Sequence, residues 1–220
     1  MIQNASNPNL AASTEMHITG PKWNSLRDFA KAVEDIFFTS AALMQGYPEA
    51  GFLAFDLLLY EMESTFVSEQ ALQWLDPGHV EAESSTLESA TYPTQRIFWS
   101  IYYVYLAKIH GEIAEGHLRL VTEARAAGIS NQEHHLEPAL FSCSRALAGL
   151  PNLQAPHSVR DAVVASVRCR QARAFELKGD MAEARKSVRS ALELKHDQDS
   201  VALAVRIEKA WREEQRKRAG

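Results

Sequence analysis

The sequence predicts an all-α protein, and three observations lead to this fold class. Apolar residues recur at spacings of three and four along most of the chain, as in helices with one buried face. No segment alternates apolar and polar residues between hairpin turn signals, as half-buried strands would. The 220 residues are 46% hydrophobic and 23% charged, which suits a folded core and excludes collagen-like and disordered chains.

The first predicted elements form a helical hairpin after a flexible lead-in at residues 1–21. Apolar side chains recur with helical period over residues 23–45, and Gly46 ends this helix. Pro48 suits the first turn of a second helix, whose apolar stripe continues to Leu75. We therefore expect two antiparallel helices joined by a short turn.

The middle of the chain combines a loop with further helices. Residues 76–94 hold acidic, serine and threonine side chains and few apolar ones, which predicts a polar loop. Helical period resumes over residues 94–127, where Gly111 either kinks one long helix or separates two. Another helix is predicted over residues 132–147 and closes at Gly149.

Three helices are predicted for the rest of the chain, at about 158–178, 181–194 and 198–218. The first two are separated by Gly179, which suits a tight turn. The length suits one domain or two small ones, and we interpret residues 22–220 as a single helical domain that includes the 76–94 loop.

Residues 165–198 resemble the repeat of about 34 residues that defines tetratricopeptide arrays. Small residues stand where the two helices of such a repeat touch, and a glycine stands at the turn between them. These matches are Ala172, Gly179, Ala184 and Ala191. Larger side chains at Phe175, Val188 and Leu192 would fill the space between repeats, and Asp180 would cap the second helix. Two positions depart from the pattern, since Arg168 replaces an aromatic residue and His196 replaces a proline.

Residues 97–123 resemble a degenerate second copy of this repeat. Gly111-Glu112 stands at the turn, Gly116 at the small position and Leu120 in the filling role. The resemblance implies antiparallel hairpins that form a short right-handed solenoid. It also implies that the last helix is a C-terminal cap with one solvated face.

The resemblance further implies a scaffold or adaptor that binds another protein or peptide in a groove lined by the first helix of each repeat. Ser166, Arg170 and Arg173 are the candidate partner-binding residues, at positions we expect to be exposed on that helix. Some family members use a lysine and an arginine there to hold the terminal carboxylate of a heat-shock chaperone. Ser166 stands in place of that lysine, so we hypothesise that this chain is not such a clamp.

Three tyrosines give a second candidate binding surface. Tyr102, Tyr103 and Tyr105 point in several directions around one predicted helix. One stripe cannot bury all three, so we expect at least one to lie at an interface or to line a cavity. Core packing with ordinary surface tyrosines is the other interpretation.

Two alternatives to a peptide-binding scaffold remain open. The first is an all-α enzyme or small-molecule binder with a pocket built from the aromatic residues of 37–60 and 98–105. That alternative requires inward polar groups such as Asp56, Glu61 or His110. The second is a homodimer formed through the apolar faces of the first hairpin.

Histidines occur in pairs, but their spacing is not that of a known metal motif. His110 and His117 are seven apart, and His134 and His135 are adjacent. Neither a His-Glu-x-x-His helix nor repeated Glu-x-x-His motifs are present. Phosphate loops and nucleophile elbows are missing too, so we expect no metal, no cofactor and no enzymatic activity.

Charge and cysteine content bear on partners and compartment. Residues 1–159 carry 8 basic and 18 acidic side chains, whereas residues 160–220 carry 15 and 10, so the two ends face different partners or each other. The basic tail is interspersed with acids, which makes nucleic acid an unlikely partner, and the longest apolar run is too short to span a bilayer. With only two cysteines, Cys143 and Cys169, and no targeting features, we expect the cytosol or the nucleus.

Overall fold

The computed structural model describes residues 26–66, 91–129, 132–150 and 156–219. These residues form seven α-helices and one short 3-10 helix without any strand, which confirms the all-α class for this part of the chain. The helices are α1 (Leu26–Gly46), α2 (Pro48–Phe66), α3 (Thr91–Ala126), α4 (Leu136–Gly149), α5 (His157–Lys178), α6 (Met181–Leu194) and α7 (Gln198–Ala219), and the 3-10 helix (Glu133–His135) precedes α4. No helix of these segments is long and apolar enough to cross a bilayer.

The predicted helices and the observed ones differ most in the middle of the chain. Helix α3 begins at Thr91, inside the predicted loop, and continues through Gly111 without a break. The repeat-like turn expected at Gly111-Glu112 is therefore wrong. The backbone at Gly111 does not have the positive φ that helix-ending Gly128 and Gly179 have, and one helical glycine costs only about 1 kcal/mol. The lead-in at 1–21 and most of the 76–94 loop lie outside the described residues.

Helix α3 is the central element of the described structure. It contacts α1 and α2 on one side and α4 and α5 on the other. Helices α1 and α2, α3 and α4, and α5 and α6 are each neighbours in sequence and in space. Helix α7 packs on α6 and also reaches α5, so helices two apart in sequence touch as well.

Among the described residues, the hydrophobic core follows this succession of helices as four clusters. The cluster between α1, α2 and α3 includes buried Phe29, Phe37, Phe55, Leu58 and Ile109. Two smaller clusters join α3 to α4 and α5, and the last cluster joins α5, α6 and α7. Each helix pair is thus stabilised mainly by burial against its immediate neighbours.

The α5–α6 turn has the local structure that the sequence predicts. Gly179 has φ 85°, and its N–H donates to the Glu176 carbonyl at 3.1 Å. The Asp180 carboxylate caps α6 by accepting from the Glu183 N–H at 3.2 Å. Ala172, Ala184 and Ala191 are fully buried, so small residues do allow these helices to approach closely.

Candidate functional site

Helices α3, α5 and α7 together line an open groove on one side of the described structure. It consists of two adjoining cavities of about 600 and 400 Å³, which share Arg173 and Arg206 on their walls. We call it the α5–α7 groove and define it by Glu115 of α3, Ser166 and Arg173 of α5, and Asp199 and Arg206 of α7. Its size is that of a typical ligand cleft.

All three predicted partner-binding residues of α5 line this groove, but their exposure differs from the expectation. Ser166 is exposed, whereas Arg170 and Arg173 are half-buried. The Arg170 guanidinium donates to Ser166 Oγ at 2.6 Å and to Glu112 Oε1 at 2.8 Å. Arg173 Nη1 donates to both carboxylate oxygens of Glu115, at 2.7 and 2.8 Å. These charge-assisted bonds hold the two arginines within the molecule.

The acids that bind these arginines lie on α3, 58 residues earlier in the chain. Glu112 and Glu115 are three apart on α3, as Arg170 and Arg173 are on α5. Equal spacing on two helices places the pairs opposite one another when the helices run side by side. This shared spacing was the sequence signal that could have identified the pairing.

Sequence reasoning also missed several charged residues of the groove, among them Lys195, Asp197, Asp199 and Arg206. Arg206 forks onto the Glu176 carboxylate at 2.8 and 2.7 Å, and this bond raises the pKa of Arg206. The Asp197 carboxylate accepts the Ser200 N–H at 2.9 Å, which lowers the pKa of Asp197 to about 2. Lys195 lies 3.2 Å from Asp197, so the groove carries both signs of charge in fixed pairs.

Neither Cys169, which lines the groove, nor buried Cys143 favours cysteine chemistry. Cys169 lies on the groove wall with its thiol 3.3 Å from Ser200 Oγ, and burial raises its pKa. Burial raises the pKa of Cys143 to about 12. Both side chains are therefore neutral thiols near pH 7, and a neutral thiol is a poor nucleophile.

The three tyrosines on α3 are all half-buried and face two different clusters. Tyr102 and Tyr105 pack against the cluster between α1, α2 and α3, and Tyr105 meets Phe37 at 5.7 Å between ring centroids. Tyr103 packs against the cluster on the α4 side. Burial raises the pKa of Tyr102 and of Tyr105.

The aromatic residues proposed for an enzyme pocket have different surroundings: Phe38 and Tyr60 are exposed, and the side chains of Phe98 and Trp99 lie outside the described part. Phe37 and Phe55 are buried, and their ring centroids lie 5.8 Å apart. Asp56 is exposed, which does not fit the inward position that this alternative requires. His110 is half-buried, and burial, followed by the Arg145 charge, lowers its pKa to about 4. Glu61 is half-buried as well, and its Oε2 and His110 Nδ1 are buried without a hydrogen-bond partner among the described residues.

A histidine cluster connects α3 to the segment before α4. His117 Nδ1 and His135 Nδ1 lie 3.0 Å apart, and Phe52 stacks on the His117 ring with centroids 4.3 Å apart. Burial, and then the His135 and His134 rings, lower the pKa of His117 to about 4. Among the described residues, no three metal-ligating side chains are arranged to hold an ion.

Comparisons of the chain with protein-family models, curated proteins and solved structures found no significant match.

Proposed function

We propose that this protein is a non-enzymatic, TPR-like scaffold or adaptor that holds a segment of another protein in the α5–α7 groove. The observation that carries the proposal is that alternate helices, α3, α5 and α7, line one open groove. In tetratricopeptide arrays the first helix of each hairpin has that position. Helices α3–α4 and α5–α6 would be successive hairpins of a short right-handed solenoid, and α7 its cap.

The charges of the groove favour an internal peptide segment over a free terminal carboxylate. Arg170 and Arg173 are already bound to carboxylates of α3. Releasing Arg170 would leave half-buried Glu112 without its partner, and releasing Arg173 would leave Glu115 only its 3.4 Å ion pair with Arg170. Either loss costs more than an exposed contact returns. Exposed Ser166 and Asp199 can instead donate and accept hydrogen bonds along an extended backbone. The pairing of the arginines agrees with the hypothesis that the chain is not a chaperone-carboxylate clamp.

A peptide library displayed on phage tests the proposal, because it samples many peptide sequences and the partner need not be chosen beforehand. The affinity of peptides selected on the wild-type protein is then measured for Ser166→Trp, in which an indole projects into the groove. Ser144→Trp is the matched control, since Ser144 is an exposed serine on α4, away from the groove. We expect binding to fall at least tenfold with Ser166→Trp and to remain with Ser144→Trp. Equal affinity for both variants, or no enriched peptide, would contradict the proposal.

A further inference from the structure

Helix α2 presents a second apolar stripe on the side away from the core. Leu53, Leu57 and Tyr60 are 62%, 53% and 56% exposed, and their spacing of four and three places them in one row. The opposite side of α2 is already buried, with Phe55 and Leu58 in the core. A helix that is apolar on two sides is typical of helices covered on both.

Acidic side chains follow one edge of this stripe. Glu49 and Asp56 are seven residues apart, so they lie on the same side of α2, and both are exposed. Neither has an ion-pair partner among the described residues. Residues 27–66 contain seven acidic and two basic side chains, so the hairpin as a whole is negative. We call the stripe with its two acids the acidic α2 face.

The opposite end of the chain has a groove of complementary character between α6 and α7. This cavity of about 700 Å³ has Val188, Leu192, Ala204 and Val205 on its walls, and Val205 is 65% exposed. Five basic side chains and two acidic ones surround these apolar residues. We call it the basic α6–α7 groove; it is formed by different residues from the α5–α7 groove.

The positive charge of this groove is only partly neutralised from within. Glu208 accepts from Arg185 at 2.6 Å and lies 3.7 and 3.6 Å from Arg189 and Arg212. One carboxylate is thus shared by three guanidinium groups. Lys209 and Arg216 line the same groove and are exposed, with no ion pair in the described part of the chain.

We propose that the acidic α2 face of one molecule docks into the basic α6–α7 groove of a second copy. The two surfaces are opposite in charge, both contain apolar residues, and they have similar lengths. At 1.5 Å per residue, Leu53 to Tyr60 spans about 10 Å, as Arg185 to Leu192 does along the groove. Desolvation of the apolar stripes stabilises the contact, and the surrounding charges select its direction.

Head-to-tail docking has a consequence for the size of the assembly. The two surfaces are different, so each dimer retains one free acidic α2 face and one free basic α6–α7 groove. Further copies add at either end until a ring closes or an open filament forms. The contact does not involve the α5–α7 groove, so it neither needs nor excludes peptide binding there.

Sedimentation velocity over a concentration series tests the proposal, by comparing the full-length wild type with charge-reversed variants. Glu49→Arg/Asp56→Arg makes the α2 face positive, and Lys209→Glu/Arg216→Glu lowers the charge of the groove. We expect the wild type to assemble with rising concentration and each variant alone to stay monomeric at the same concentrations. An equimolar mixture of the two variants restores assembly, because each face then meets a groove of opposite charge. Lys186→Glu/Lys217→Glu is the control, with the same charge change outside the groove.

Three outcomes would overturn the proposal. The first is a wild type that stays monomeric at all concentrations, as it would if the chain covered its own α2 face. The second is assembly that survives in the groove variant alone, which would indicate a symmetric contact between two α2 faces. The third is a mixture that stays monomeric although circular dichroism shows both variants folded.

Discussion

At Gly51, a hydrogen in place of a side chain allows α1 and α2 to approach each other. A Cβ there would lie 2.5 Å from the Cα of Met44, a backbone atom that cannot move alone. Gly116 meets the same residue from α3, where a Cβ would lie 2.5 Å from Met44 Sδ. Met44 is thus the residue around which three helices are close-packed.

Gly51→Ala should therefore destabilise the protein, by about 1–3 kcal/mol or more, because the hairpin must open to admit the methyl group. Gly46→Ala is the matched control, since a Cβ at Gly46 would meet nothing within 4 Å. It should be neutral or stabilising by about 0.4–1 kcal/mol. Urea unfolding of both variants measures the difference, and equal stabilities would contradict this account of the close approach.

His117 gives a second prediction at the residue scale. Its pKa of about 4 in the folded protein lies below the usual 6.5, so the unfolded chain binds a proton that the folded one rejects. The free energy of unfolding should therefore fall as pH drops from about 6.5 to about 4. One such histidine contributes a slope of about 1.4 kcal/mol per pH unit.

Urea unfolding at several pH values between 7 and 4 checks this slope. His117→Gln should reduce it, whereas His196→Gln should leave it unchanged because His196 is exposed. A slope that is the same in both variants would show that other groups cause the acid sensitivity.

At the scale of the elements, helix ends are capped by arginines from neighbouring helices. Arg119 of α3 donates to the carbonyls of Met44 and Gln45 at 2.5 and 3.1 Å, in the last turn of α1. Arg125 of α3 likewise donates to the Leu177 carbonyl at 2.6 Å, in the last turn of α5. A cation near the negative end of a helix also interacts favourably with the helix dipole. Helix α1 has no basic residue of its own in that turn.

Arg119→Met should lower stability by about 1.5–3 kcal/mol, because two carbonyls of α1 lose a charged donor. Lys217→Met serves as the control on an exposed residue and should change stability by less than about 0.5 kcal/mol. Thermal unfolding of both variants provides the measurement. If Arg119→Met were as stable as the control, the bridge between α3 and α1 would contribute no net stability.

The bounds of the elements were more predictable from the sequence than their contacts. Helical period and Gly179 predict α5, α6 and the turn between them, because both signals are local. Gly111 misled the prediction, since a glycine signals a turn only where the backbone needs a positive φ. The binding of Arg170 and Arg173 by α3 depends on which helices lie side by side, so the equal spacing of the glutamates and arginines could indicate the pairing only once α3 and α5 are known to be neighbours.

At the scale of the whole molecule, the four clusters make stability dependent on position. Ile207 is fully buried in the cluster that joins α5, α6 and α7, and Ile109 is fully buried in the cluster that joins α3 to α1 and α2. Among the described residues, α3 contributes side chains to three of the four clusters and so links them. Chains built in this way open in parts, each with its own free energy.

Ile207→Ala and Ile109→Ala remove the same atoms from these two clusters, and each should lower the free energy of unfolding by about 2–5 kcal/mol. In the described part of the chain, the extensive contacts of α7 are with α5 and α6. Ile207→Ala should therefore speed amide exchange in α6 and α7 and leave exchange in α1 and α2 unchanged. Ile109→Ala should speed amide exchange in α1 and α2 and leave exchange in α6 and α7 unchanged, because Ile109 packs against the first hairpin. Hydrogen–deuterium exchange by mass spectrometry, at a monomeric concentration, distinguishes the two patterns. Uniform acceleration in both variants would instead mean that the described helices unfold as a single cooperative unit.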